Sequence, residues 1–257
     1  MTRHIMRTRS FPGLSVLLLA TAFATTGFAQ APTPPPQTFQ LTIVRVKPEM
    51  GPAWQEYLKN DANPAVIKSG VKQRNVWTTA AFGEGGEYAI VTPIADLSQF
   101  DDPTPLFKAL GQEGQTALLA KRQRLIIDSR TVFITARPDL GVAPKPDYQA
   151  KLGVSSRTIV AQGHMADFVK HTKELSAVIA KTNAKGVVVS QIGLGGNPNE
   201  FITLTLFDSF ADLSKFPAAF AKASAEAKLA SAPAGTVANS EWRVYRFVPE
   251  LSIIPPR

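Results

Sequence analysis

The hexapeptide ADLSxF is written twice in this chain, as ADLSQF over Ala95–Phe100 and as ADLSKF over Ala211–Phe216. The order of signals around each copy is the constraint. Around the first, Phe39–Val46 alternates as a strand and Ala53–Lys68 has helical spacing. Val71–Phe82 and Glu87–Ile94 then read as strands joined by the glycine-rich turn 83–86. Leu106–Arg124 follows as a helix and Thr131–Thr135 as a closing strand. Around the second copy the order is the same: strand Arg157–Gln162, helix Met165–Lys181, strands Gly186–Ile192 and Phe201–Phe207 about the turn 193–198, helix Ala218–Ala230 and strand Trp242–Val248. Pro52 suits a first helical turn, whereas Pro64 is predicted to interrupt its helix. The plan βαββαβ is therefore stated twice.

A split βαβ unit makes a four-stranded antiparallel sheet with both helices on one face, leaving the other face bare. An apolar face exposed to water invites association. The expected fold is accordingly α+β: two ferredoxin-like βαββαβ units in tandem, 38–140 and 152–251, with their antiparallel sheets packed face to face as an intrachain α+β barrel. Residues 141–151 form a Pro-rich linker and 252–257 a short tail. The expected partner of each half is the other half, an intrachain pseudo-dimer.

Arg3, Arg7 and Arg9 precede the apolar run Leu14–Ala24, and Gly27 and Ala29 are small residues before a cut at Gln30. Residues 1–29 thus read as a secretory signal peptide, followed by a Pro-rich leader over 30–37. The expected destination is the periplasm or the outside of the cell. Removing three arginines lowers the formal charge from +8 to +5, and the remaining charges are dispersed. That pattern argues against a nucleic-acid partner. No later run is apolar enough to span a membrane, so none is expected after cleavage. The chain has no cysteine, which excludes disulfides and thiolate-held metal or iron–sulfur centres.

The duplicated element order and the D-L-S-x-F approach to each second helix resemble the dimeric α+β barrel superfamily. That group includes antibiotic-biosynthesis monooxygenase-like and NIPSNAP-like proteins, and here the likeness is to a tandem fusion spanning roughly Thr38–Leu251. The resemblance implies a ligand held between the sheet and the helices of one unit. Its members include cofactor-free oxygenases, isomerases and haem-binding proteins.

The residues themselves supply no acid–base or metal constellation. Beyond residue 29 only His164 and His171 occur. They lie seven apart on one predicted helix, roughly 10 Å at about 1.5 Å per residue, too far for one metal ion. His171 is a packed helix histidine or, alternatively, a haem ligand. The glycine clusters stand between two strands, which favours hairpins over phosphate cradles. Aromatic enrichment of the first half is more suggestive: Trp54 and Tyr57 on the first helix, Trp77 on the second strand, Tyr88 on the third. Asn75 shares a sheet face with Trp77, while Arg74 points to the other. Trp77 either lines a cavity or packs the interface between the halves. The expected function is binding of a small apolar or aromatic molecule between sheet and helices, by Trp54, Tyr57, Asn75, Trp77 and Tyr88, without a cofactor or metal. A cofactor-free monooxygenase or isomerase with Arg74 in a polar role, and a haem-binding protein using His171, are the alternatives.

Overall fold

The computed structural model describes residues 37–255. The segment expected to be a signal peptide and nearly all of the Pro-rich leader lie outside the described residues. The elements are β1 (Thr38–Val46), α1 (Gly51–Tyr57), α2 (Asn63–Lys68), β2 (Asn75–Thr79), β3 (Glu87–Ile94), α3 (Pro105–Leu125), β4 (Ile126–Ala136), β5 (Leu152–Val160), α4 (Met165–Ile179), β6 (Gly186–Ile192), β7 (Glu200–Phe207), α5 (Phe210–Ala227) and β8 (Val237–Phe247). Pro64 has its expected effect. Leu58–Ala62 between α1 and α2 is a single π turn, in which the Asn63 N–H reaches the Leu58 carbonyl. A wide turn of this kind lets the helix run on past a residue that cannot donate.

The expectation of two sheets stacked face to face is overturned. All eight strands form one closed antiparallel barrel in the order β1-β3-β2-β8-β5-β7-β6-β4. Two seams join the halves. Trp77–Thr79 of β2 pair with Phe247–Tyr245 of β8, and Ile134–Ala136 of β4 pair with Ile192–Ser190 of β6. Burying the apolar faces meets only part of what the sheets require, because their edges must be satisfied too. Four strands alone leave two rows of unpaired N–H and C=O groups, and a twisted sheet coils far enough for those rows to meet. Closure satisfies the edges and converts the two inner faces into one barrel interior.

The helices cover the outside. In the first half Val44, Val46, Val76 and Tyr88 from the strands pack against Trp54, Tyr57 and Leu58. In the second, Val160, Val187 and Phe201 pack against Phe168 and Ile179. The doubled hexapeptide adopts two conformations. In ADLSQF, Asp96 caps a short 3-10 turn over Leu97–Phe100 by accepting the Ser98 N–H at 2.6 Å. In ADLSKF the same residues are the first turns of α5, because Ser209 stands two places earlier and accepts the Asp212 N–H at 3.1 Å. The upstream cap decides where the helix begins.

Candidate functional site

The barrel interior holds a cavity of about 400 Å³, within the usual range of ligand pockets, about 300–1,000 Å³. The period-two alternation of each strand sets its lining. β3 turns Glu87, Ala89 and Val91 inward; β7 turns in Glu200, Ile202, Leu204 and Leu206; β4 turns in Arg130, Val132 and Ile134. On all three strands the first inward residue is charged and its successors are apolar. The cavity is thus an apolar chamber with a charged collar at one end.

Glu87 and Glu200 open strands four places apart in a ring of eight, so they face each other across the barrel. Both are buried, Glu200 to 1% exposure. Arg157 holds both oxygens of Glu200, donating from Nε to Oε1 and from a terminal nitrogen to Oε2 at 3.1 Å. Arg130 approaches Glu200 Oε2 at 3.5 Å. Opposite them, Glu87 accepts from the Tyr245 hydroxyl and lies 3.4 Å from Arg243 Nε. Arg243 also meets the half-exposed Glu241 at 3.2 Å and Glu84 at 3.7 Å. Burial, and then the bond to Glu87, push the Tyr245 phenol well above its ordinary value, while the bond to Glu200 raises the Arg157 guanidinium. Charges taken from water are tolerated only when paired and hydrogen-bonded in this way. The Gly195–Gly196 turn makes room for the collar: a side chain at Gly196 would stand 2.6 Å from an Arg130 guanidinium nitrogen.

The opposite end leads to a second cleft of about 840 Å³ that shares Asn75, Trp77 and Ala150 with the chamber. It is bordered by the linker, whose Tyr148 hydroxyl donates to the Phe207 carbonyl at 3.0 Å. Burial, and then Asp208, push the Tyr148 phenol up to about 12. These three shared residues therefore stand between the outer cleft and the barrel chamber.

The residues expected to form the pocket are divided by the sheet. Asn75 and Trp77 face the chamber. Trp77 also meets Phe247 of the other half edge-on, with ring centroids 5.2 Å apart. Lining a cavity and packing between the halves, expected to be alternatives, become one role once the barrel closes. Trp54, Tyr57 and Tyr88 lie on the far side of the sheet as one packed aromatic cluster, Trp54 and Tyr57 stacked at 5.4 Å and Trp54 and Tyr88 at 5.9 Å. The chamber lies inside the barrel, on the other side of the sheet from this cluster. Arg74 is on that outer side too, donating to Asn63 Oδ1 at 3.1 Å, and desolvation pulls its guanidinium down to about 10. His171 is partly buried on α4 and lines neither cavity, and His164 at the start of that helix meets Asp167 at 3.1 Å. Neither histidine therefore faces the chamber or the outer cleft. Among the described residues, no group of three His, Cys, Asp or Glu is placed to hold a metal ion. No helix among them is long and apolar enough to cross a membrane.

No family model and no curated protein matches this sequence. Solved structures do match in three dimensions. A proposed monooxygenase from Fusobacterium nucleatum aligns with a TM-score of 0.57 and 11% identity over 82% of this chain and 92% of its own. A proposed monooxygenase from Lactobacillus acidophilus aligns at 0.54 with 8% identity over 82% and 94%, and an anthrone oxidase-like protein at 0.53 with 11% over 82% and 91%. The fold is shared. At such identities the likeness extends to the fold and no further.

The collar was missed by sequence reasoning, although a signal existed. Glu87 and Glu200 each follow a glycine-rich hairpin at the first position of a β-rich run. In β8 the hydrophobic pattern misleads, since it favours burying Trp242 and exposing Arg243. The strand does the reverse: Trp242 is 67% exposed and Arg243 and Tyr245 line the chamber.

Proposed function

We propose that this protein binds a small apolar or aromatic molecule inside its barrel, with the molecule's polar end towards the collar. One observation carries the reading: an apolar chamber, adjoining an outer cleft, inside a closed barrel of rigid strands. Phe39, Leu41, Trp77, Val132, Ile134 and Leu206 offer the apolar contact. Membership of the dimeric α+β barrel superfamily is part of the same proposal, supported by the element order and the shared fold. So is export after cleavage near Ala29, which rests on the N-terminal sequence pattern. Native mass spectrometry of protein purified from its own host tests the binding. A co-purifying small molecule is expected, and it is lost when Ala89→Phe fills the chamber. A molecule retained by that variant, or a wild-type chamber that takes up neither host compounds nor a naphthalene probe, would refute the reading.

A second reading, a cofactor-free monooxygenase or isomerase, is favoured by the Tyr245–Glu87 pair. It sets a proton donor and a carboxylate side by side at the polar end of an apolar site. The fold neighbours described as monooxygenases and as anthrone oxidase-like lend it weight as analogy. Oxygen uptake or isomer conversion with aromatic substrates, abolished in a folded Tyr245→Phe variant, is the expected result. Turnover that persists in that variant would exclude the pair.

A further inference from the structure

We infer that the chamber selects a monoanion: an apolar or aromatic molecule carrying one carboxylate or similar acidic group, which pairs with Arg130. The inference rests on the binding reading above and adds the charge of the ligand. Five charged side chains line the chamber, Arg130, Arg157 and Arg243 against Glu87 and Glu200, a net charge of +1. Glu84 and Glu241 also approach Arg243, but both are half exposed and solvated, and Glu84 is shared with Arg45 at 3.3 Å. Water therefore screens these two far more than it screens the inner pair.

The unbalanced charge can be assigned to one side chain. Arg157 occupies both oxygens of Glu200, and Arg243 and Tyr245 share Glu87. Among the described residues Arg130 has one carboxylate contact, at 3.5 Å, to an oxygen that Arg157 already engages. A guanidinium carries five donors in a planar fork suited to a carboxylate. Arg130, its own side chain 40% exposed, therefore keeps donors that no protein carboxylate uses at the collar end of the chamber, next to the apolar wall of Val132 and Ile134 on the same strand. Ser155 and Ser190 add hydroxyls to the lining. The outer cleft agrees in sign. It presents Lys151, Arg246 and Asp208, and Asp208 is already paired with Lys185 at 3.1 Å. Such a mouth draws anions inward.

The test measures naphthoate, ionised at neutral pH, against the isosteric neutral naphthamide by calorimetry on the full chain. Naphthoate is expected to bind at least about tenfold more tightly, the size of one charge-assisted bond. Arg130→Met should reduce that ratio to near one, and Arg130→Lys should restore part of it. If Arg130→Met fails to fold, Glu200→Gln serves instead: it removes one inner carboxylate with little change of shape, and the ratio must rise. Equal binding of acid and amide by the wild type would overturn the anion assignment and leave the cavity reading standing. So would a ratio that Arg130→Met leaves unchanged or that Glu200→Gln fails to raise. Failure of both probes to bind would overturn the two together.

Discussion

The two tryptophans expected to act together do different work because strand parity and helix packing separate them. Trp54 is 1% exposed, and its indole N–H finds no acceptor in the first-half core. Trp54→Ala should cost about 3–5 kcal/mol, the usual loss for a large buried aromatic. Trp54→Phe should cost clearly less, because it also removes a buried donor that has no partner. Urea unfolding checks both; equal losses would contradict the account. Substitution of Trp77, which borders both cavities, should instead alter ligand uptake. The tyrosines give a pH prediction. Burial raises Tyr57, Tyr148 and Tyr245 above the ordinary phenol value, Tyr245 also through Glu87. A raised acid stabilises the fold below its unfolded pKa, and that stability is lost as pH climbs through the folded one, so alkaline destabilisation should begin above about 10. Tyrosinate absorbance should lag behind that of the denatured chain and rise with unfolding, and Tyr245→Phe should remove part of the delayed signal. At this scale the sequence showed which aromatics were unusual but not which side of the sheet each would face. The collar was hidden because a buried Glu–Arg pair resembles two surface charges until the register brings them together.

Elements were more legible than residues, and the errors in β4 and β8 share a cause. β4 was expected over Thr131–Thr135 and runs over Ile126–Ala136; β8 was expected from Trp242 and begins at Val237. In both, most of the added residues are polar or exposed, so hydrophobic alternation was weak there. Backbone pairing to β1 and β5 carries the strands through those stretches instead. α5 was expected to start at Ala218 and starts at Phe210, since Ser209 supplies the cap that its first-half counterpart lacks. Ser209→Ala should therefore destabilise the protein by about 0.5–2 kcal/mol and fray the first turn of α5. Asp96→Ala, which uncaps only a 3-10 turn, should cost less. Hydrogen exchange at the start of α5 distinguishes the two outcomes, and unchanged protection there in Ser209→Ala would contradict the role given to the cap.

At the scale of the whole molecule, the barrel is what makes the site. Each half contributes four consecutive strands of the ring, in the orders β4-β1-β3-β2 and β6-β7-β5-β8. That shared plan was readable from the order of signals, but seam pairing was not, because a hydrogen-bonding edge has no hydrophobic signature. The chamber and collar draw on both halves: Arg157 and Glu200 belong to one, Arg130 and Glu87 to the other, and the Glu87–Tyr245 bond crosses between them. Half a chain would expose two open edges and an apolar face carrying buried charges, so neither half should persist as a folded monomer. Produced separately, 37–140 and 141–255 should aggregate or self-associate. Mixed during refolding, they should form a one-to-one complex with the far-UV spectrum of the full chain and should regain whatever ligand binding the intact barrel shows. Sedimentation gives the state of each piece directly. A monomeric, cooperatively unfolding half would mean that the seams contribute little and that closure is incidental to stability.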